Sequence, residues 1–173
     1  MSAMRLIFLL ISLQYSVMAF SDESSHEIPS YVSDSNKIIL VAWLKRHPEY
    51  RVASEEDCNC TSDIDEKRTY GKNANPNYHP YYVSGDFNND RLVDLAVVFI
   101  KSNDKEKATF AVFNAPLTTK SEPAYILEDQ NGGFFYGAEA NLPAGSLCVG
   151  RFGSECGTLV PDGSGYKVVW GED

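Results

Sequence analysis

The chain has 173 residues, 24 of them Asp or Glu and 15 Lys or Arg, giving a formal net charge of -9 at pH 7 and a pI near 4.8. A protein that grips nucleic acid needs a basic face to meet phosphate, so this balance excludes a nucleic-acid binder. The length suits one domain with an adequate core, and an acidic surface suits cations or a basic partner.

The first residues, Met1 to Arg5, give a weakly positive start. An apolar run, Leu6 to Leu13, follows, and then Val17-Met18-Ala19 with small side chains before a cut. This tripartite pattern predicts a secretory signal peptide over 1–19 and a mature chain that begins near Phe20. The apolar run is short for a span and no second one follows, so no stable membrane span is expected after cleavage. The destination is then periplasmic or secreted. Residues 20–33 are polar with Pro29 and read as an extended N-terminal arm, and 34–173 read as a single domain.

Asp34 or Ser35 can cap a helix over Asn36–Arg46, which stops before Pro48 and carries Ile39, Ala42 and Trp43 on one face. His47, at its end, is placed to meet the negative pole of the helix dipole. Ser54-Glu55-Glu56-Asp57 resembles a helix start with an acidic first turn, and Ser62 to Tyr70 reads as a second short helical piece. Between them stand Cys58 and Cys60. With Cys148 and Cys156 they make four cysteines, most economically two disulfides in an exported chain. Cys148 and Cys156 flank a hairpin-like segment and can bridge across it, whereas direct pairing of Cys58 with Cys60 closes a very small ring. Crossed pairings stay open, and the spacing is not a strong zinc ligand set.

Lys72 to Pro80 is rich in turn formers and leads into Tyr81-Tyr82-Val83. Beyond it, Val93–Ile100, Thr109–Asn114, Ser146–Phe152, Thr158–Val160 and Tyr166–Trp170 have strand-like content. Lys101–Lys107 reads as a charged hairpin loop, and Asp162-Gly163-Ser164-Gly165 as a turn. Helices first and antiparallel strands second predict an α+β fold, with the helix laid on one isolated antiparallel sheet.

The most chemical stretch is Gly85-Asp86-Phe87-Asn88-Asn89-Asp90-Arg91-Leu92-Val93-Asp94, running straight into Leu95 to Phe99. Asp86, Asn88, Asp90 and Asp94 stand at positions one, three, five and nine of a curled loop, with the Leu92 carbonyl nearby, a spacing that aims oxygens at one hard cation. The pattern, over about a tenth of the chain by motif length, resembles the FG-GAP (VCBS-type) repeat of integrin-like propellers and many secreted bacterial proteins. The resemblance implies calcium at Asp86, Asn88, Asp90, Leu92 and Asp94, and a sheet resembling one propeller blade rather than a full propeller. The family's two glycines are absent, since Asn89 and Arg91 hold those places.

Nucleophilic chemistry is thin: there is no Gly-x-Ser-x-Gly elbow, and the cysteines are accounted for as disulfide halves. His79 is the one acid or base of interest, a few residues before the acidic loop. Tyr78, Tyr81 and Tyr82 around it form either a recognition surface or a strand start with alternating faces. The expected function is therefore an exported, non-enzymatic binding or structural protein with a protein or carbohydrate ligand. The rivals are an inhibitor or immunity-type protein that blocks a basic enzyme cleft, and a small cation-assisted hydrolase using His79 with Asp86 or Asp90.

Overall fold

The computed structural model describes residues 28–57, 60–70, 74–102, 104–128, 147–150 and 157–170. The elements run α1 (Asp34–Arg46), β1 (Tyr50–Val52), a 3₁₀ turn (Glu55–Asp57), α2 (Thr61–Thr69), β2 (Tyr82–Gly85), β3 (Asp94–Lys101), β4 (Asp104–Phe113), β5 (Tyr125–Glu128), β6 (Leu147–Val149), β7 (Gly157–Asp162) and β8 (Gly165–Val169). The fold is α+β with antiparallel sheets.

β3 is the centre of the first sheet, because every side chain from Asp94 to Ile100 is buried and both its faces are covered. On one edge it pairs with β4, which in turn pairs with β5. Its other edge is shared by two short strands laid end to end. β2 lies opposite its first half and β1 opposite its second, with Tyr82 facing Val97 and Val52 facing Phe99. Val98 sits at the join, where its N–H donates to the Tyr81 carbonyl at 2.9 Å and its own carbonyl accepts from Ala53 at 2.9 Å. No backbone group of this buried strand is stranded there, as burial demands.

The period of two along β3 divides the core. Leu95, Val97 and Phe99, with Ala111 and Phe113 of β4, meet Leu40, Trp43 and Leu44 of α1 and Val32 before it. Ala96, Val98 and Ile100, with Ala108, Phe110 and Val112, meet Leu147, Val149, Leu159 and Tyr166 of a second sheet, ordered β6-β7-β8. The result is three layers: helix, five-stranded sheet, three-stranded sheet. Trp43 is the keystone on the helix side, stacked on Phe99 with centroids 4.2 Å apart and donating its indole N–H to Glu122 at 3.2 Å. Arg46 fixes the chain after β4 to the same helix, donating to the Thr119 carbonyl at 2.7 Å, the Ser121 carbonyl at 3.0 Å and Glu122 at 2.9 Å.

Several expectations change. The helix cap is Ser33, whose Oγ accepts the Asn36 N–H at 3.4 Å, so α1 begins before the expected Asn36. The arm is not featureless where it is described, because Val32 is buried at 2% exposure and Ile28 and Tyr31 pack beside it. The single sheet becomes two, since β3 and β4 are apolar on both faces and α1 covers one face only. The charged loop at Lys101–Lys107 is largely strand: β4 starts at Asp104, which pairs with Lys101. Side chains at a hairpin's end reach water, so charge there does not mark a loop. Neither β1 nor β5 was anticipated. Residues 1–27, Cys58 and Cys156 lie outside the described residues. Cys60 and Cys148 are buried and neither is a free thiol. Among the described residues no helix is long and apolar enough to cross a membrane.

Candidate functional site

His79 precedes β2 and lines a cleft whose walls include no residue of the acidic loop. The cleft is open to solvent, has a volume of about 580 Å³ and is lined by Tyr31, Arg51, Ser54, Glu55, Glu56, Arg68 and His79 among others. Five separate segments supply these groups: the stretch before α1, β1, the 3₁₀ turn, the last turn of α2, and the loop before β2. α2 puts Arg68 at the end of its short run, where its guanidinium donates to the Tyr78 carbonyl from Nε at 3.0 Å and from Nη2 at 2.8 Å. That holds the backbone next to His79 in place.

Glu55 is the hub. Its carboxylate takes a two-armed pair from Arg68, with Nη1 at 3.0 Å from Oε2 and Nη2 on Oε1, and Oε1 lies 3.2 Å from His79 Nδ1. Burial works against the charged form of Glu55, but the hydrogen bonds from Arg68 and His79 outweigh it and hold the carboxyl below its ordinary range. A second pair stands behind the first. Asp57 takes Arg51 through both Nη atoms, one at 2.6 Å, and accepts the Ser54 N–H at 2.8 Å. Burial again opposes ionisation of Asp57, and Arg51 with the Ser54 amide again prevails, so its carboxyl is also held low. Arg51 is driven up by the same bond to Asp57, and Arg68 by its bond to Glu55.

Tyr31 lines one side of the cleft. Its ring lies flat on His79, centroids 3.7 Å apart and planes 8° from parallel, an arrangement worth about 1 kcal/mol beyond the area it buries. Among the described residues the buried Tyr31 hydroxyl has no hydrogen-bond partner, and burial first and the Glu55 charge second push its pKa far above the ordinary phenol value. The phenol therefore stays protonated. His79 has a carboxylate behind Nδ1, the arrangement that orients an imidazole, but among the described residues no serine, threonine or cysteine hydrogen-bonds to it.

The other tyrosines divide by face. Tyr78 and Tyr81 are buried, at 4% and 1% exposure, so they do not make the recognition surface: Tyr78 packs with Cys60 and Ile64, and Tyr81 joins the core between the sheets. Tyr82 faces the α1 side, half-buried, and its hydroxyl accepts from Asn36 at 2.9 Å. Alternation at a strand start is what places them.

The acidic loop joins β2 to β3 and is closed by its own side chains. Asp86 accepts the N–H groups of Asp90 at 3.0 Å and Arg91 at 2.9 Å. Asn88 Oδ1 accepts from Asp90 at 2.9 Å, and Asp90 Oδ1 accepts the Leu92 N–H at 2.8 Å. Asp94, fully buried, gives one oxygen to the Phe87 amide at 2.9 Å and the other to the Ala115 amide at 2.8 Å. Asn89 and Arg91, at the two places where the resembled motif has glycine, have φ of 62° and 71°. The left-handed curl is thus present without glycine, at a cost of about 1–2 kcal/mol for each such residue. The donor set is all oxygen, as calcium requires, but the side chains turn to amides. Among the described residues no three His, Cys, Asp or Glu side chains group as metal ligands.

Sequence reasoning missed Tyr31, Arg51, Glu55 and Arg68. Glu55 was visible as an acidic turn residue, and nothing local linked it to a histidine 24 positions away. No family model matches the chain, and neither does any curated protein or solved structure.

Proposed function

We propose that this is an exported, non-enzymatic binding protein that takes its ligand in the cleft lined by Tyr31 and His79, with the acidic loop as a structural clasp. The observation that carries the reading is the cleft itself. Its volume of about 580 Å³ falls in the range of roughly 300–1,000 Å³ usual for small-ligand sites. Its walls are fixed by interlocking ion pairs, the preorganisation that favours binding. A nucleophile bonded to His79, which hydrolysis by the covalent route requires, is missing from the described residues.

The loop's counterpart in a propeller blade ties two strands together. Here the same service falls to Asp86 and Asp94, which tie β2 to β3 and to the chain after β4. Export rests on the leader-like first residues. The test is affinity capture from an extract of the source cells, with wild type beside His79→Ala and Asp86→Ala, followed by a screen of ester, phosphoester and glycoside hydrolysis. The proposal expects a ligand lost with His79→Ala and kept with Asp86→Ala, and no turnover. Turnover abolished by His79→Ala would replace it with the hydrolase reading, and one stoichiometric enzyme recovered would replace it with the inhibitor reading.

A further inference from the structure

The charges of the cleft are unevenly matched. Arg51 is paired by Asp57 and Arg68 by Glu55, each through two N–H···O bonds, so the Nη donors of each guanidinium already face a carboxylate. The other described Arg68 donors go to the Tyr78 carbonyl and toward His79. Glu56 lines the same cleft, is exposed, and makes no ion pair among the described residues. Glu55 serves both Arg68 and His79, and Asp57 serves Arg51, which leaves Glu56 as the cleft carboxylate without such a partner among the described residues. The same lining holds Tyr31, whose buried hydroxyl has no hydrogen-bond partner among the described residues. An anionic ligand would meet repulsion from Glu56 and find both arginines already paired with carboxylates. A neutral ligand would leave Glu56 unanswered.

We propose that the cleft receives a primary ammonium or guanidinium group, with Glu56 as its counter-ion and the Tyr31–His79 stack as the wall it lies against. This rests on the reading of the cleft as the ligand site. A cation near an aromatic face and a carboxylate gains from both, and more where water is partly excluded. The group comes from one of two sources, a small free amine or a Lys or Arg side chain of a basic protein, and the overall charge of -9 steers either toward the molecule.

The test is isothermal titration of the full chain at low salt with cadaverine, butylguanidinium, pentanol and butyrate, each repeated with Glu56→Gln. Glu66→Gln is the control, an exposed α2 acid outside the cleft lining. The proposal expects both cations to bind about tenfold or more tighter than pentanol, butyrate to give no binding, and Glu56→Gln to weaken the cations about fivefold while Glu66→Gln changes nothing. A lysine-rich peptide against its acetylated form separates the sources: preference for the free-amine peptide over cadaverine assigns a protein partner, and the reverse order assigns a free amine. Equal affinity for pentanol and cadaverine, binding of butyrate, no cation binding, or equal effects of Glu56→Gln and Glu66→Gln would each overturn the cationic assignment. If pentanol or butyrate binds and His79→Ala abolishes it, the cleft stands as the ligand site and only its charge preference is wrong.

Discussion

Tyr31 lies flat on His79, two rings 3.7 Å apart that join the stretch before α1 to the loop before β2. Through that contact a residue that precedes α1 joins the lining of the cleft that also holds the Glu55–Arg68 pair. The same tyrosine carries a buried hydroxyl that bonds nothing among the described residues. Removing that oxygen should therefore help. Tyr31→Phe keeps the stack and is expected to gain about 1 kcal/mol, the cost of one unsatisfied buried polar group, seen as a rise of about 3 °C in thermal unfolding. Tyr31→Ala removes the ring and should lower stability by about 3 kcal/mol. A loss of stability in Tyr31→Phe would mean that the hydroxyl has a partner after all.

Asp94 is the costliest residue of the acidic loop to remove. Asp94→Ala strands two amides, those of Phe87 and Ala115, in a fully buried place. At about 1–3 kcal/mol per unpaired group the loss should be near 4 kcal/mol. Asp90→Ala, at an exposed position, should cost about 1 kcal/mol. Denaturant unfolding of the two variants compares them directly, and equal losses would contradict the assignment of Asp94 as the clasp.

Arg91 has φ of 71° with a full side chain. Arg91→Gly relieves about 1–2 kcal/mol of left-handed strain and gives back about half of it as unfolded-chain entropy, a net gain near 0.5–1 kcal/mol. Because the loop is closed by its own hydrogen bonds, the gain should be the same in excess calcium and in chelator. A gain that appears in calcium alone would show that the loop holds the ion, and saturating ion at a hundredfold excess would then add about 2.7 kcal/mol.

The cleft carboxylates make stability depend on acid. Glu55 and Asp57 are held below their ordinary values near 4.5 and 3.8. A carboxyl depressed in the folded state binds fewer protons there than in the unfolded chain, so its contribution is complete above the unfolded value and is lost as pH falls through the folded one. The unfolding temperature should fall as pH drops below about 4.5. Glu55→Gln should flatten that fall while lowering stability at pH 7. An acid slope unchanged by Glu55→Gln would remove Glu55 from the account.

The acidic loop and β3 were legible in the sequence because their signals are local. Asp and Asn bond amides two to five positions away, and an unbroken run from Leu95 to Ile100 means burial on both faces. β1 was not legible, since Tyr50–Val52 is three residues whose strand character comes only from the open half of the β3 edge. β5 alternates half-buried and exposed positions over four residues, too short a pattern to stand out. The cleft was hidden for a related reason. His79 is seven positions from Asp86 and was paired with it by nearness in sequence, but β2 intervenes, and four extended residues carry the chain roughly 13 Å. The partners it meets, Glu55 and Arg68, are brought there by tertiary packing.

The central claim is that ligand binding belongs to the cleft and not to the acidic loop. The measurement that tests it most directly is a two-dimensional amide NMR titration of the isotope-labelled protein with a soluble extract of the source cells. The account predicts shifts concentrated at Tyr31, Arg51, Glu55, Glu56, Arg68 and His79, with Asp86 to Asp94 unmoved. Shifts concentrated at Asp86 to Asp94, with the cleft residues silent, would contradict it.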